Sequence, residues 1–313
     1  MDKIKDSLTF LFKEKNWALK MLLPFALTLL ISLPSIFTDN STLSFNSNGY
    51  LRSSYNTNSA TALFSAIVSC IVCLLVIPTL IVGSWHTYES TQSGIQKRAT
   101  TTLWGANFAD KLKRSLKYLL ASTIYGLVIG TIVALIAGVF LIAIMLLSGG
   151  AFSTNGLSSL NNLNGIYLLL VCFFGILFLA ILAVLAVLSY FIVTPGLLRL
   201  VATNTFSEAF KLKDNWDLAM RHKPELLGLL LVSIATGFVV GILGGVGGAI
   251  AGVFSLVSPI LFTFAMFVVN YVSTVISTYY SFFFYPRFSG LVFRDIIESD
   301  SSLSYISTKA ESK

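Results

Sequence analysis

The chain has 313 residues, of which 55% are hydrophobic and only 11% are charged, and its mean hydropathy is +0.82. A water-soluble domain of this length needs more polar surface, so the composition excludes an ordinary soluble protein and predicts a chain solvated by lipid. The formal net charge of +7 could suggest a nucleic-acid partner. Because the basic residues lie between apolar runs, we interpret them as topology determinants and headgroup contacts, and we predict no nucleic-acid binding.

Six apolar runs are long enough to cross the hydrocarbon core of a bilayer, which takes about 20 helical residues. They predict an all-α integral membrane fold with six transmembrane helices. Only a short break, Ser255 to Pro259, separates the last two runs, because proline disfavours helix at this point. The six runs are Trp17–Phe37, Thr61–Tyr88, Tyr118–Leu147, Gly165–Val193, Glu225–Phe254 and Leu256–Tyr285.

The connections between these runs alternate in charge. The two predicted outer loops, residues 38–60 and 148–164, carry a single basic residue, Arg52. Every other Lys and Arg lies in the N-terminal segment up to Lys20, in two inner connections or in the C-terminal tail. By the positive-inside rule that side is the cytoplasm. The pattern therefore predicts a multi-pass protein of the cell membrane with both termini in the cytoplasm.

The cytoplasmic segment before each helical hairpin mixes charge with apolar residues at helical spacing. In the first, Ile4, Leu8, Leu11 and Phe12 can share one face. Such segments are typical of amphipathic interfacial helices that lie in the headgroup plane and contact anionic lipid. We predict one polytopic membrane domain, residues 1–313. Its parts are an interfacial helix 1–16, a first hairpin 17–88, a cytoplasmic segment 89–117, a second hairpin 118–193, a cytoplasmic segment 194–224, a third hairpin 225–285 and a tail 286–313.

Several short motifs resemble a known family. They are residues 6–12, Asn16-Trp17 before the first span, residues 190–195, residues 206–210 and Lys223-Pro224. Together they are similar to an uncharacterised prokaryotic family, the domain of unknown function 4013. The resemblance covers most of the chain, with the polar first outer loop as an insertion. It implies a six-helix membrane protein without an assigned activity, so it supplies no catalytic residue.

Few side chains in the apolar runs offer chemistry. Cys70 and Cys73 have the spacing of a redox motif, but they lie inside an apolar run and we predict that they pack as small hydrophobic residues. His86 and Glu89, at the cytoplasmic end of the second run, are too few to hold a metal, and we expect them to reach headgroups or water. The central parts of the six runs contain no ionisable residue of the kind that ion-coupled transporters place there. We therefore predict no catalytic, cofactor-binding or metal-binding residue.

Two periodic patterns mark the last two runs. Glycines in the fifth form two adjacent stripes, which favour close helix packing within the chain, with an interface between copies or a flexible gate as the alternatives. Polar residues in the sixth form a stripe that must face protein or water, since an unpaired amide is costly in lipid. We predict an interhelical contact at Asn270, with a hydrated path as the alternative. The glycines are Gly237, Gly241, Gly244, Gly245, Gly248 and Gly252, and the polar residues are Asn270, Ser273, Thr274, Ser277 and Ser281.

These patterns predict an integral membrane protein of unassigned activity, either a non-enzymatic accessory protein or one that engages lipid. Its expected partners are the bilayer and anionic headgroups, with a protein partner or a further copy of the chain. The alternative is an uncoupled channel, exporter or lipid transporter with a polar path along the sixth helix. A lipid enzyme would need clustered acidic residues, and Asp214, Asp217 and Glu225 are mixed with basic residues as in ordinary surface helices.

Overall fold

Helices dominate the structure, which is a computed structural model. Among the described residues, three helices are long and apolar enough to cross a membrane, at Phe108–Ala143, Cys172–Thr203 and Lys223–Gly247. The helical class that the sequence predicts is therefore confirmed for the described part of the chain. The described residues are 2–13, 16–18, 20–22, 24–26, 43–45, 51–53, 59–98, 108–147, 165–255, 259–303 and 305–306.

The described residues form long and short helices. The first predicted outer loop contains a short antiparallel hairpin, which the all-α prediction did not include. Most of the first predicted span lies outside the described residues. The elements are α1 Asp2–Thr9, a 3-10 turn Leu11–Lys13, β1 Leu43–Phe45, β2 Leu51–Ser53, α2 Ser59–Ile95, α3 Phe108–Leu147, α4 Gly165–Thr203, α5 Phe206–Ala209, α6 Leu212–Arg221, α7 Lys223–Ser255, α8 Pro259–Tyr279, a π-helical turn Tyr280–Phe284, α9 Tyr285–Ser299 and a 3-10 turn Ser301–Leu303.

The chain forms two compact units. The first comprises Met1–Leu119, Val201–Asn204 and Pro224–Lys313, and the second comprises Leu120–Leu200 and Thr205–Lys223. The single polytopic membrane domain stays a prediction, within which the structure distinguishes these two units.

In the first unit, α9 packs against the C-terminal part of α2. The two backbones approach each other at Gly94 and Gly290. A Cβ atom at Gly94 would lie 2.5 Å from the carbonyl oxygen of Arg287 and 3.0 Å from Cα of Gly290. A Cβ atom at Gly290 would overlap the carbonyl oxygen of Thr91. Glycine at both positions thus allows a backbone contact of the kind that stabilises helix pairs in membranes.

The π-helical turn joins α8 to α9 immediately before Pro286. Proline lacks an N–H and its ring clashes with the carbonyl one turn earlier, so a regular α-helical turn is unfavourable there. The apolar pattern predicts that the sixth span ends at Tyr285 and that a tail follows. The helix instead continues to Ser299, and most of its residues up to Ile297 are buried. The predicted tail therefore contains a packed helix.

The N-terminal segment is fixed to the C-terminal end of α8. The Tyr279 hydroxyl donates a hydrogen bond to the backbone carbonyl of Leu8. The ring of Phe12 stacks on that of Tyr279, with 5.4 Å between the centroids. These contacts surround a buried cluster formed by Phe10, Leu11, Tyr279, Phe283 and Phe284.

The predicted glycine stripes on α7 have open surroundings in the described part of the chain. At four of the six glycines, a Cβ atom would meet no described heavy atom within 4 Å beyond its own helix. These four are Gly237, Gly241, Gly245 and Gly252. Gly244 and Gly248 lie outside the residues whose surroundings are described. A contact with α8 occurs at Gly247, where a Cβ atom would overlap Val269. Packing through the stripes, within the chain or between copies, stays a prediction.

Candidate functional site

Two buried arginines, one in each compact unit, each bind several polar groups in the described residues. We call their surroundings the Arg199 cluster and the Arg287 cluster. The Arg199 cluster consists of Arg199, Glu208, Lys211, Asp214 and Asn215. The Arg287 cluster consists of Arg287, Asp6, Phe10, Ser93 and Arg98.

In the Arg199 cluster, the arginine side chain lies near the C-terminal end of α4 and is only 4% exposed. Its Nη2 donates to Glu208 Oε2 at 2.6 Å, and its Nη1 donates to Asn215 Oδ1 at 3.0 Å. Lys211 Nζ donates to the second oxygen of Glu208 at 2.7 Å, and Asp214 Oδ2 lies 3.6 Å from Arg199 Nη2. Each buried charge therefore has an opposite charge beside it, as burial of ions requires.

The carbonyl oxygen of Ala209 holds the short helix α5 in place beside this cluster. It accepts a hydrogen bond from Asn215 Nδ2 at 2.7 Å and another from the Tyr125 hydroxyl at 2.5 Å. A Cβ atom at Gly196 of α4 would lie 2.6 Å from the same oxygen. Glycine at 196 thus gives α4 room for close contact with α5. The contacts fix α5 and α6 to Tyr125 of α3 and to the C-terminal part of α4.

In the Arg287 cluster, the guanidinium group joins three separate parts of the first unit. Nη1 donates to Ser93 Oγ at 2.9 Å and to the carbonyl oxygen of Arg98 at 2.6 Å, after the end of α2. Nη2 donates to Asp6 Oδ2 of α1 at 3.0 Å. The guanidinium carbon also lies 4.9 Å from the centroid of the Phe10 ring. One side chain of α9 therefore fixes both α1 and the end of α2.

The prediction that His86 and Glu89 reach headgroups or water is wrong. The structure buries both, at 6% and 7% exposure. The ring centroid of His86 lies 5.0 Å from that of Phe283 in the π-helical turn. These side chains lie on the part of α2 against which α9 and the π-helical turn pack. The sequence pattern did not predict this packing. Within the described ranges, no group of three or more His, Cys, Asp or Glu is placed to hold a metal ion.

The polar stripe of the sixth run changes its exposure along the helix. Its half-buried members are Ser273, Thr274 and Ser277. Ser281, one turn further, is exposed, and the side chain of Asn270 lies outside those described. Thr278, which the stripe did not include, is buried, and its hydroxyl has no hydrogen-bond partner among the described residues. The interhelical contact and the hydrated path at Asn270 both stay predictions.

Arg199 and Arg287 were predicted only as topology determinants, and their buried ion pairs were missed. A signal for both was present, because each has large apolar neighbours. Arg199 lies between Leu198 and Leu200, and Arg287 precedes Phe288. A charge inside such a run requires a buried partner. Glu208, in an apolar patch nine residues after Arg199, is the partner that this reasoning could have found.

Apolar helices of spanning length, with ionic clusters buried among the described side chains, define an α-helical protein with the character of a membrane protein. The family model described as protein of unknown function (DUF4013) matches residues 67–251. Because the match covers more than half of the chain, this protein belongs to that family, as the motifs predicted. No curated protein and no solved structure matches the chain.

Proposed function

We propose that this chain is a non-enzymatic integral membrane protein with six spans and cytoplasmic termini, which engages anionic lipid through helices held at the membrane surface. The apolar helices support the membrane placement. Of the most apolar stretch in each of the three spanning helices, only 0%, 6% and 12% is buried in the protein. Burial of apolar area is favourable by about 25 cal/mol per Å², so surfaces of this kind need lipid or a partner to cover them.

The charged ends of the helices support the proposed orientation. The basic residues of α3 all lie in its first three turns, before the apolar stretch begins. Interfacial lysines and arginines stabilise the cytoplasmic end of a span, where anionic headgroups are close. The four residues are Lys111, Lys113, Arg114 and Lys117.

The observation that carries the lipid proposal is an exposed apolar row on the N-terminal segment. Ile4, Leu8 and Phe12 recur every four residues and are 40%, 37% and 53% exposed. Lys5, also exposed, lies outside this row. The segment cannot turn the row inward, because Asp6 and the backbone of α1 are held by the Arg287 cluster and by Tyr279. A fixed helix with an apolar row and flanking lysines is suited to insert into the headgroup region of anionic lipid.

Fluorescence quenching tests this proposal. The protein carries a single cysteine at Leu8 or at Lys5, labelled with an environment-sensitive fluorophore, and is placed in vesicles containing lipid brominated on the acyl chains. We expect strong quenching at position 8 and weak quenching at position 5, because only the first faces the hydrocarbon. We also expect the quenching at position 8 to increase with the fraction of phosphatidylglycerol.

The label at position 5 is the matched control, because both positions lie on α1 and are exposed in the protein. Equal, weak quenching at the two positions would place α1 in water and contradict the proposal. The dependence of quenching on the fraction of phosphatidylglycerol separates apolar insertion from attraction to anionic headgroups. Quenching at position 8 without any effect of phosphatidylglycerol would contradict the anionic preference.

A further inference from the structure

A groove of about 520 Å³ lies in the first unit, between α1, the N-terminal part of α7 and α9. Its volume is within the usual range of ligand sites, about 300 to 1,000 Å³. Its wall is apolar and includes Leu229, Val232, Phe288 and Val292. The groove therefore offers a surface to an aliphatic group at the point where the apolar part of α7 begins.

The rim of the groove is charged and carries both signs. Asp2 and Glu225 contribute carboxylates, and Lys3 contributes an ammonium group that pairs with Asp295 outside the groove. Both carboxylates belong to exposed residues. A ligand that fits the rim therefore needs a cationic group that binds the two carboxylates and an anionic group that lies beside Lys3. A ligand that fits the wall needs an aliphatic chain.

We propose that this groove binds one phospholipid with a primary-amine headgroup. Its ammonium group would donate hydrogen bonds to Asp2 and Glu225, its phosphate would lie beside Lys3, and the first part of an acyl chain would cover the apolar wall. The inference rests on the proposed membrane placement and adds a specific site to the general attraction for anionic lipid.

Charge complementarity distinguishes this ligand from other common phospholipids. A choline headgroup has a positive charge but no N–H, so it cannot donate the charge-assisted hydrogen bonds that carboxylates accept. A glycerol headgroup has no positive charge and brings its phosphate toward two carboxylates. The expected order of binding is therefore ethanolamine first, choline second and glycerol last.

Native mass spectrometry tests the site. The full-length protein is equilibrated in detergent with equal amounts of phosphatidylethanolamine, phosphatidylcholine and phosphatidylglycerol that have identical acyl chains. We expect one ethanolamine lipid to be retained per chain, about ten-fold over either competitor, which corresponds to the loss of one strong charged contact. Equal retention of the three lipids would overturn the proposal.

Two variants test whether the lipid binds in the groove. Glu225→Gln changes an exposed side chain and should lower the preference for the ethanolamine lipid at least several-fold. Gly228→Leu should abolish retention, because Gly228 lines the groove and a Cβ atom there meets no described heavy atom within 4 Å, so that the leucine can occupy the free space. Gly126→Leu is the control, since Gly126 on α3 has equally open surroundings and does not line the groove.

Retention in Gly228→Leu equal to that of the parent would overturn the site, as would an unchanged lipid preference in Glu225→Gln. The proposed function is tested separately by extraction of membranes with alkaline carbonate. A protein that stays in the extracted membranes but shows no lipid preference loses only this inference. A protein that is released loses both.

Discussion

Replacing Arg199 with leucine is expected to destabilise the folded protein by about 3 kcal/mol or more. Removal of one partner from a buried ion pair costs about 3 to 5 kcal/mol, because the remaining charge stays desolvated. Here the remaining charge is Glu208, which is buried and keeps Lys211 as a partner, so the lower end of that range applies. Asn215 also loses a donor to its Oδ1. The measurement is the free energy of unfolding in a mild detergent, from denaturant titration followed by circular dichroism.

The control for Arg199→Leu is Arg294→Leu. Arg294 forms an ion pair with Glu298 one turn away on α9, and the two side chains are 26% and 56% exposed. Such a pair is worth only about 0.3 to 0.5 kcal/mol. The double variant Arg199→Leu, Glu208→Leu should recover part of the lost stability, because it leaves no unpaired carboxylate at 208. Similar unfolding energies for Arg199→Leu and Arg294→Leu would contradict the account of the cluster.

Gly290→Ala is the second substitution with a large expected effect. The added methyl group would overlap the carbonyl oxygen of Thr91, and backbone atoms cannot move aside as a flexible side chain can. Overpacking of this kind costs about 1 to 3 kcal/mol. The separation of α9 from α2 would also lengthen the bonds from Arg287 to Ser93 and Arg98. Gly94→Ala should have a similar effect, since its methyl group would overlap the backbone of α9 at the same contact. The same denaturant titration measures both variants.

Gly245→Ala is the matched control on α7, where a Cβ atom meets no described heavy atom within 4 Å beyond its own helix. Alanine is favoured over glycine in an exposed helix by about 1 kcal/mol, so this variant should be as stable as the parent or slightly more stable. A parent-like unfolding energy for Gly290→Ala would show that α2 and α9 are not in backbone contact.

The long helices could be predicted from the sequence because their signal is local. An apolar run such as Gly165–Val193 has one favourable conformation in lipid, in which every backbone N–H and C=O is paired within the segment. The structure accordingly contains a helix from Gly165, and it ends at Thr203. The break between Ser255 and Pro259 could also be predicted, because proline disfavours helix at the residue before it. In the structure α7 ends at Ser255 and α8 begins at Pro259.

The packing of α9 could not be predicted in this way, because it depends on residues that are distant in the chain. Arg287 is paired with Asp6, and Gly290 faces Gly94, so each contact joins segments separated by about 200 residues or more. A single sequence gives no sign that these positions meet. The basic residues after Tyr285, which include Arg287 and Arg294, instead indicated a cytoplasmic tail.

Each unit contains a buried ion pair of the same kind, between an arginine and a carboxylate. A buried arginine on a long or C-terminal helix binds the carboxylate of a short helix, through Arg199 and Glu208 in the second unit and Arg287 and Asp6 in the first. The pairing orients the short helix more rigidly than apolar contacts alone, because the guanidinium donors have fixed directions. A rigid α1 with an exposed apolar row is what the lipid proposal requires.

A topology experiment needs a cytoplasmic position at which a cysteine is accessible to a thiol reagent. Ser93 belongs to the predicted cytoplasmic segment, but it is buried and bonded to Arg287, so a cysteine there would be unreactive for reasons unrelated to topology. Ser301 in the C-terminal turn is exposed and is the better reporter. The native cysteines to be replaced first are Cys70, Cys73 and Cys172.

Labelling of single cysteines in intact cells tests the central claim of a multi-pass membrane protein with cytoplasmic termini. Cysteines at Ser47 and Ser158, in the two predicted outer loops, should react with a membrane-impermeant maleimide added outside the cells. A cysteine at Ser301 should react only after the membrane is permeabilised. Labelling of position 301 in intact cells, with positions 47 and 158 protected, would reverse the orientation and contradict the account.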